Sequence, residues 1–239
     1  MKRMVLIILR NLLRLPYVCF MLCYYARRAD EHSFEHKYVL IKKIAGWIVS
    51  TGKIDIAVSG LEKLPEENGF MLFPNHQGLF DAFAIVEVCP RPLSTVYKKE
   101  LQDIPFLKQI FSCVNAFALD RDSIRQGLEV MNEVARKAQD GRNYIIFAEG
   151  TRSLGKNKLL DFKGGSFRSA ARAKCPIVPV ALIDSYKVFD TGSIARTTVE
   201  VHFLDAICYE DYEGLRTAQI AELVKAAIEK AIAEHSDNH

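Results

Sequence analysis

Apolar residues recur along this chain in two periods. Over residues 35–51 they fall on one side at helical spacing, with Val39, Ile41, Ile44, Trp47 and Ile48 forming the stripe and Gly52 placed to stop it. Residues 123–140 repeat the pattern through Ile124, Leu128, Met131, Val134 and Ala135, with Gly141 as the stop. Residues 217–234 read as a closing helix. Short runs rich in strand formers lie at 54–58, 70–73, 94–97, 116–119, 144–148, 177–182 and 198–203. Pro176 and Pro179 place the start of the 177–182 run at an edge or a bend, because proline cannot donate to an interior ladder. This alternation predicts an α/β fold: a central, mostly parallel or mixed sheet flanked by helices. No repeat, low-complexity tract or long linker divides the body.

The first residues break the pattern. Residues 1–28 are strongly apolar yet carry Arg10, Arg14 and Pro16. The longest clean run, 15–26, is shorter than the roughly 18 apolar residues of a spanning helix. As a secretory signal, Lys2 and Arg3 supply a basic start, but Arg10 interrupts the apolar stretch and no small-residue cleavage site follows. The reading that fits better is a helical segment lying in the membrane interface. Arg10, Arg14, Arg27 and Arg28 reach the headgroups there, while Leu, Ile, Phe and Tyr enter the acyl region. A hairpin packed on its own domain is the plainer alternative. Two parts are therefore expected: 1–34, a membrane-associating helical segment, and 35–239, a catalytic domain.

Composition narrows the class. With 49% apolar residues and 14 Phe in 239 residues, the chain affords a sizeable core. A net charge of +3 suits anionic small molecules or an anionic membrane surface, and no long basic block points to nucleic acid. Six cysteines without a CxxC pair read as a reduced intracellular chain, not a disulfide scaffold.

The candidate chemistry lies where strands end. The run 70–73 ends in Pro74-Asn75-His76, and Asp81 follows five positions after the histidine. Histidine is the side chain best suited to accept a proton near neutrality, and a carboxylate on one ring nitrogen fixes its tautomer. A turn entering a helix at about Leu79 folds Asp81 back onto His76. On spacing alone, Asp81 also reads as a helix cap and His76 as a polar loop residue. No serine or cysteine nucleophile accompanies the pair, so an activated hydroxyl belongs to the substrate. A second run ends in Glu149-Gly150-Thr151-Arg152-Ser153. Gly150 permits a tight turn, the next three residues offer donors to an anion, and Lys163 with Gly164-Gly165 opens a helical stretch that can do the same. Lys98, Lys99 and Arg121 follow two further strands. Open α/β sheets bind ligands at strand ends. Elsewhere, His32 and His36 share a helix face without a third ligand, His202 satisfies local hydrogen bonds in a strand, and His235 and His239 are solvated.

Residues 75–81 resemble the NHxxxxD block of the glycerolipid acyltransferases, typified by 1-acyl-sn-glycerol-3-phosphate acyltransferase, and residues 147–153 resemble that family's FPEGTRS block. Residues 116–121 and 177–180 are similar to its arginine-bearing and proline-bearing blocks, in the family's order. The resemblance implies an acyl thioester donor, acyl-CoA or acyl-carrier protein, and a glycerol-phosphate acceptor, with no metal or redox cofactor. It implies that His76 deprotonates the acceptor hydroxyl and that Asp81 orients His76. Arg121, Glu149, Gly150, Thr151 and Arg152 would hold the acceptor and its phosphate. The oxyanion partner stays open, backbone N–H groups near Gly150 being one candidate. It also places the enzyme at the cytoplasmic face of the cell membrane. Gly78, Ala148 and Asn115 depart from the commoner serine, proline and glycine. Another lysophospholipid or polar alcohol as acceptor, a thioesterase, and a non-catalytic lipid-binding protein are the competing readings.

Overall fold

The structure is a computed structural model that describes residues 2–236. The seven strand-forming runs all become strands: β1 Ile54–Ser59, β2 Met71–Pro74, β3 Leu93–Lys98, β4 Phe117–Leu119, β5 Asn143–Ile145, β6 Ile177–Ile183 and β7 Thr197–Phe203. They form one sheet in the order β1-β7-β6-β2-β5-β3-β4. Five strands, β6 to β4 across the sheet, run parallel; β7 is antiparallel to β6 and carries β1 parallel to itself. The sheet is mixed, as expected.

Helices cover both faces. On one lie α2 Leu15–Arg27, α3 Phe34–Thr51, α4 Asp81–Val88 and α5 Leu107–Cys113. On the other lie α6 Ile124–Gln139, α7 Arg168–Ala173, the short α8 Tyr209–Tyr212 and α9 Thr217–Ser236. The chain starts with α1 Lys2–Arg10. Strand β6 shows how the layers are divided: Val178, Val180 and Leu182 enter the first core, while Ile177, Ala181 and Ile183 enter the second. Burial on both faces explains why its sequence is an unbroken apolar run.

Several expectations are corrected. Strand β6 is interior, third from the β1 edge, although it contains Pro179. The ladder to β7 ends at the Val180–Phe203 pair, and beyond it Leu204 N–H donates to Pro179 O while Ile177 bridges Ile207. Two residues thus oppose one, a β-bulge, so the missing proline donor falls where the ladder is already broken. In α3, Val39 faces solvent, and Lys37 is buried instead. In α6, Ile124 and Leu128 are exposed, and the buried stripe runs through Val130, Met131, Val134, Ala135 and Ala138. The β5 ladder stops at Ile145, three residues early, because the chain turns there toward the site.

At the N-terminus, α1 and α2 meet at 91°. Pro16 sits in the first turn of α2, where its absent N–H costs nothing. No single helix is long and apolar enough to cross a membrane; this bent pair passes only jointly. The four arginines expected at headgroups, Arg10, Arg14, Arg27 and Arg28, are all exposed, and three of them also make local contacts. Arg10 donates to Thr51 O, Arg14 to Asn11 and stacks over Trp47, and Arg28 pairs with Glu31. Arg3 is buried and donates to Gly52 O, Lys53 O, Ala195 O and Thr197 Oγ1.

Candidate active site

Because β2, β3, β4, β5 and β6 are parallel, their C-terminal ends share one edge of the sheet. Every candidate stretch follows one of these ends. The loop after β2 is fastened first. Buried Asn75 donates to Leu182 O and accepts from Leu182 N–H, a reciprocal pair with β6 at 3.0 and 2.7 Å. Gln77 donates to Leu182 O and accepts from Ser185 N–H. The two flanking side chains therefore clamp His76 between them onto β6.

His76 Nδ1 lies 2.7 Å from Asp81 Oδ2. Helix α4 begins at Asp81, two residues later than expected, so the carboxylate sits at the helix start and faces back over the loop. Asp81 is fully buried. Oδ2 also accepts from Gln77 N–H at 2.6 Å and Gly78 N–H at 2.9 Å, and Oδ1 accepts from Ser185 Oγ at 2.5 Å. So many donors hold the carboxylate as an acceptor; His76 Nδ1 therefore donates, and Nε2 of the neutral ring carries the lone pair. The ring packs on Phe147 with centroids 4.2 Å apart and keeps its side chain 22% exposed. Among the described residues Nε2 has no protein partner.

Glu149 is buried and joins the two motif loops. Its Oε1 accepts from His76 N–H at 2.6 Å and its Oε2 from Leu160 N–H at 2.9 Å. Burial pushes its carboxyl above the ordinary range, against the pull of those two N–H groups. Both oxygens are spent on backbone, which makes Glu149 a strut beneath His76. Ser153 belongs to the same frame: its N–H donates to His76 O and its Oγ to Lys158 O. Gly150 adopts φ +71°, a conformation open to glycine, and a Cβ there would meet Lys163 Nζ at 3.0 Å. Its N–H donates to Phe147 O, so among the N–H groups near this turn it is not one left for an oxyanion.

Thr151 and Arg152 are exposed beside this turn. Arg121 is exposed after β4, three strands from β2, which is roughly 14 Å at about 4.8 Å per strand. Among the described residues the guanidinium groups of Arg121 and Arg152 have no partner. The structure thus brings His76, Asp81, Glu149 and Gly150 together directly. It leaves Arg121, Thr151 and Arg152 on the rim.

Sequence reasoning missed Ser185, which lies 104 positions from Asp81 and shares no local pattern with it. The one available signal was its place just past the end of β6. Asn115, one of the departures, has φ +47°, the left-handed region that glycine or asparagine tolerates, and its Oδ1 accepts from Lys37 Nζ. The substitution keeps the backbone and gives a buried lysine its acceptor.

A histidine held by a buried carboxylate, with the serines around it committed elsewhere, is the equipment of a transferase whose substrate supplies the nucleophile. Residues 55–183 match the acyltransferase family, and the chain belongs to that family. It is 28% identical over 181 residues to the 1-acyl-sn-glycerol-3-phosphate acyltransferase of Saccharomyces cerevisiae, covering 72% of this chain and 58% of that protein. The enzyme of the same name from Haemophilus influenzae is 32% identical over 162 residues, 67% of each chain. The crystal structure of the 1-acyl-sn-glycerophosphate (LPA) acyltransferase PlsC from Thermotoga maritima superposes with a TM-score of 0.77 at 20% identity, covering 98% of this chain and 97% of that one. The fold is therefore that of PlsC.

Proposed function

We propose that the protein transfers a fatty acyl group from an acyl thioester to the free hydroxyl of 1-acyl-sn-glycerol 3-phosphate, giving phosphatidic acid in phospholipid biosynthesis. The observation that carries this reading is the state of His76: Nδ1 is held by Asp81, Nε2 is open, and the neighbouring Ser153 and Ser185 hydroxyls are committed. The family and the names of the relatives support the acyl chemistry and the acceptor.

In this mechanism His76 Nε2 takes the proton of the acceptor hydroxyl as its oxygen attacks the thioester carbonyl. The tetrahedral intermediate collapses, the C–S bond breaks, and the thiolate takes the proton back from the imidazolium as it leaves. Asp81 holds the ring and stabilises its cation. Arg121, Arg152 and Lys163 supply positive charge for the phosphate. The donor is acyl-CoA or acyl-carrier protein, and the reaction itself needs neither a metal nor a redox cofactor.

The same edge suits a lipid surface. Exposed apolar side chains follow four of the five strand ends: Leu79 after β2, Ile104 and Phe106 after β3, Ile124 after β4 and Leu154 after β5. Leu12, Leu13, Tyr17 and Phe20 of the N-terminal pair are exposed as well, which supports monotopic attachment through residues 1–34 at the cytoplasmic face of the membrane.

The deciding experiment measures thiol release from a long-chain acyl-CoA with purified protein, with and without lyso-phosphatidic acid. The expected result is acceptor-dependent release that falls by at least about 100-fold in His76→Ala. In Arg121→Ala the acceptor KM should rise sharply. Release independent of acceptor would mean a thioesterase, and a fully active His76→Ala would remove the histidine base.

A further inference from the structure

A second group of ligating side chains gathers where the last helix meets the sheet. Glu200 and His202 stand two apart on β7 and so share a face. Their cross-strand partners Ile183 and Ala181 belong to the core beneath α9, which identifies that face as the one α9 covers. His235 comes from the last turn of α9. It is half-buried rather than solvated, and its ring packs on that of His202 with centroids 3.9 Å apart. One ligand atom from each of the three residues lies within 4.8 Å of the other two.

The ring nitrogens can be assigned from their partners. His235 Nδ1 lies 2.8 Å from Ala231 O. A carbonyl only accepts, so this nitrogen bears the proton and Nε2 is left with a lone pair. His202 Nδ1 lies 2.7 Å from Ser59 Oγ, and its Nε2 lies 2.9 Å from Glu200 Oε2. When the Ser59 hydroxyl accepts from Nδ1–H, His202 Nε2 is also a lone pair, directed at a carboxylate. In that tautomer two imidazole lone pairs and a carboxylate oxygen converge as a donor set for a cation; in the other, Nε2–H donates to Glu200 and the Ser59 hydroxyl donates to Nδ1, so an ion takes the place of the Nε2 proton. Each histidine meanwhile anchors its other nitrogen on an oxygen, the outer-shell arrangement of metal-ligating histidines. The 2.9 Å separation of the first two ligand atoms is close to the ~3.3 Å edge of a tetrahedral shell with bonds of ~2.0 Å. The terminal turn that carries His235 has the freedom to close the remainder.

We propose that Glu200, His202 and His235 bind one divalent transition-metal ion, Zn²⁺ by ligand chemistry, with water in the fourth position. Two nitrogens and one oxygen suit Zn²⁺, whereas Mg²⁺ and Ca²⁺ take oxygen shells. The role is structural: β6 stands between this site and β2, the strand that delivers His76. The ion ties the end of α9 to the β7 strand and, through the Ser59 bond, to β1.

The test uses the full chain, untagged and stripped with chelator. It is titrated with Co²⁺ while visible d–d absorption is followed, then with Zn²⁺ in competition and under thermal unfolding. The expected result is one equivalent with a tetrahedral spectrum, a higher Tm with Zn²⁺, and no stoichiometric binding in His235→Ala or Glu200→Gln. Ser59→Ala should weaken binding by about tenfold or more, as loss of an outer-shell partner does. His36→Ala, at the separate His32–His36 pair, should bind as the parent does, and acyl transfer by His235→Ala should be unchanged. No stoichiometric binding by the parent, or undiminished binding by His235→Ala and Glu200→Gln, overturns the proposal.

Discussion

At the scale of single residues, His76 acts only if its partners keep it in place. Ser185 is a positioning residue: it fills Asp81 Oδ1 and touches no reacting atom. Ser185→Ala leaves a buried carboxylate oxygen without its donor, a cost of about 1–3 kcal/mol. We expect kcat to fall about tenfold with acceptor KM unchanged, and Ser185→Thr to restore it; a KM effect alone would assign Ser185 to substrate binding instead. Glu149 gives a pH test. Burial holds its folded-state carboxyl above the ordinary value of about 4.5. The folded chain therefore keeps this proton to higher pH than the unfolded chain. Its contribution to stability is full below the ordinary value and is lost as pH rises through the raised one. Urea unfolding between pH 4 and 7.5 should show the stability of the parent relative to Glu149→Gln declining as pH rises; the opposite slope would contradict the burial argument. The His76–Asp81 contact was one of two readings of their spacing, the other being a helix cap beside a polar loop residue, and it became specific only with the resemblance of residues 75–81 to a family block. Ser185 and the Lys37–Asn115 bond were not legible, because each joins positions tens of residues apart.

At the scale of elements, the strands were readable because their apolar runs are short and punctuated. The prolines of β6 read as an edge or a bend, and the sequence does not choose between the two because a bulge arises between two strands and has no signature in either alone. The N-terminal helices show the same limit. Sequence presents Arg3 as part of a basic start, yet it crosses to the loop before β7 and caps three backbone carbonyls. Arg3→Met, which keeps much of the side-chain volume, should cost about 2–3 kcal/mol through lost charged hydrogen bonds. Hydrogen exchange should accelerate around Lys53 and Thr197. Unchanged exchange there would show that α1 is held by apolar contacts alone.

At the scale of the whole molecule, thiols and exposed apolar side chains set how the protein meets its surroundings. The thiols are a minor part of it: the described cysteines are unpaired, and burial pushes Cys113 up to about 11 and Cys175 up to about 12, so neither reacts readily near neutrality. The apolar surface is the larger part. Leu13 is 95% exposed and Phe20 67%. Leu13→Glu with Phe20→Glu should abolish flotation with anionic vesicles while leaving the unfolding transition unchanged, since neither side chain packs in the core. Vesicle binding that survives both changes would shift attachment to the strand-end segments that carry Ile124, at the start of α6, and Leu154.

The long reach of the Ser185–Asp81 bond has a consequence in time. The ribosome delivers Asp81 104 residues before Ser185, an interval of about 5–20 s at typical synthesis rates. For nearly all of it, β6 is absent, Asn75 lacks its clamp and the carboxylate lacks its cover. The nascent chain carries the complete histidine motif but has no means of holding it in register. Stalled chains that expose residues only to about 175 should therefore be catalytically silent, and activity should switch on as β6 emerges. In this fold, competence for chemistry is acquired late and in one step, set by contact order and not by the arrival of the reactive side chains.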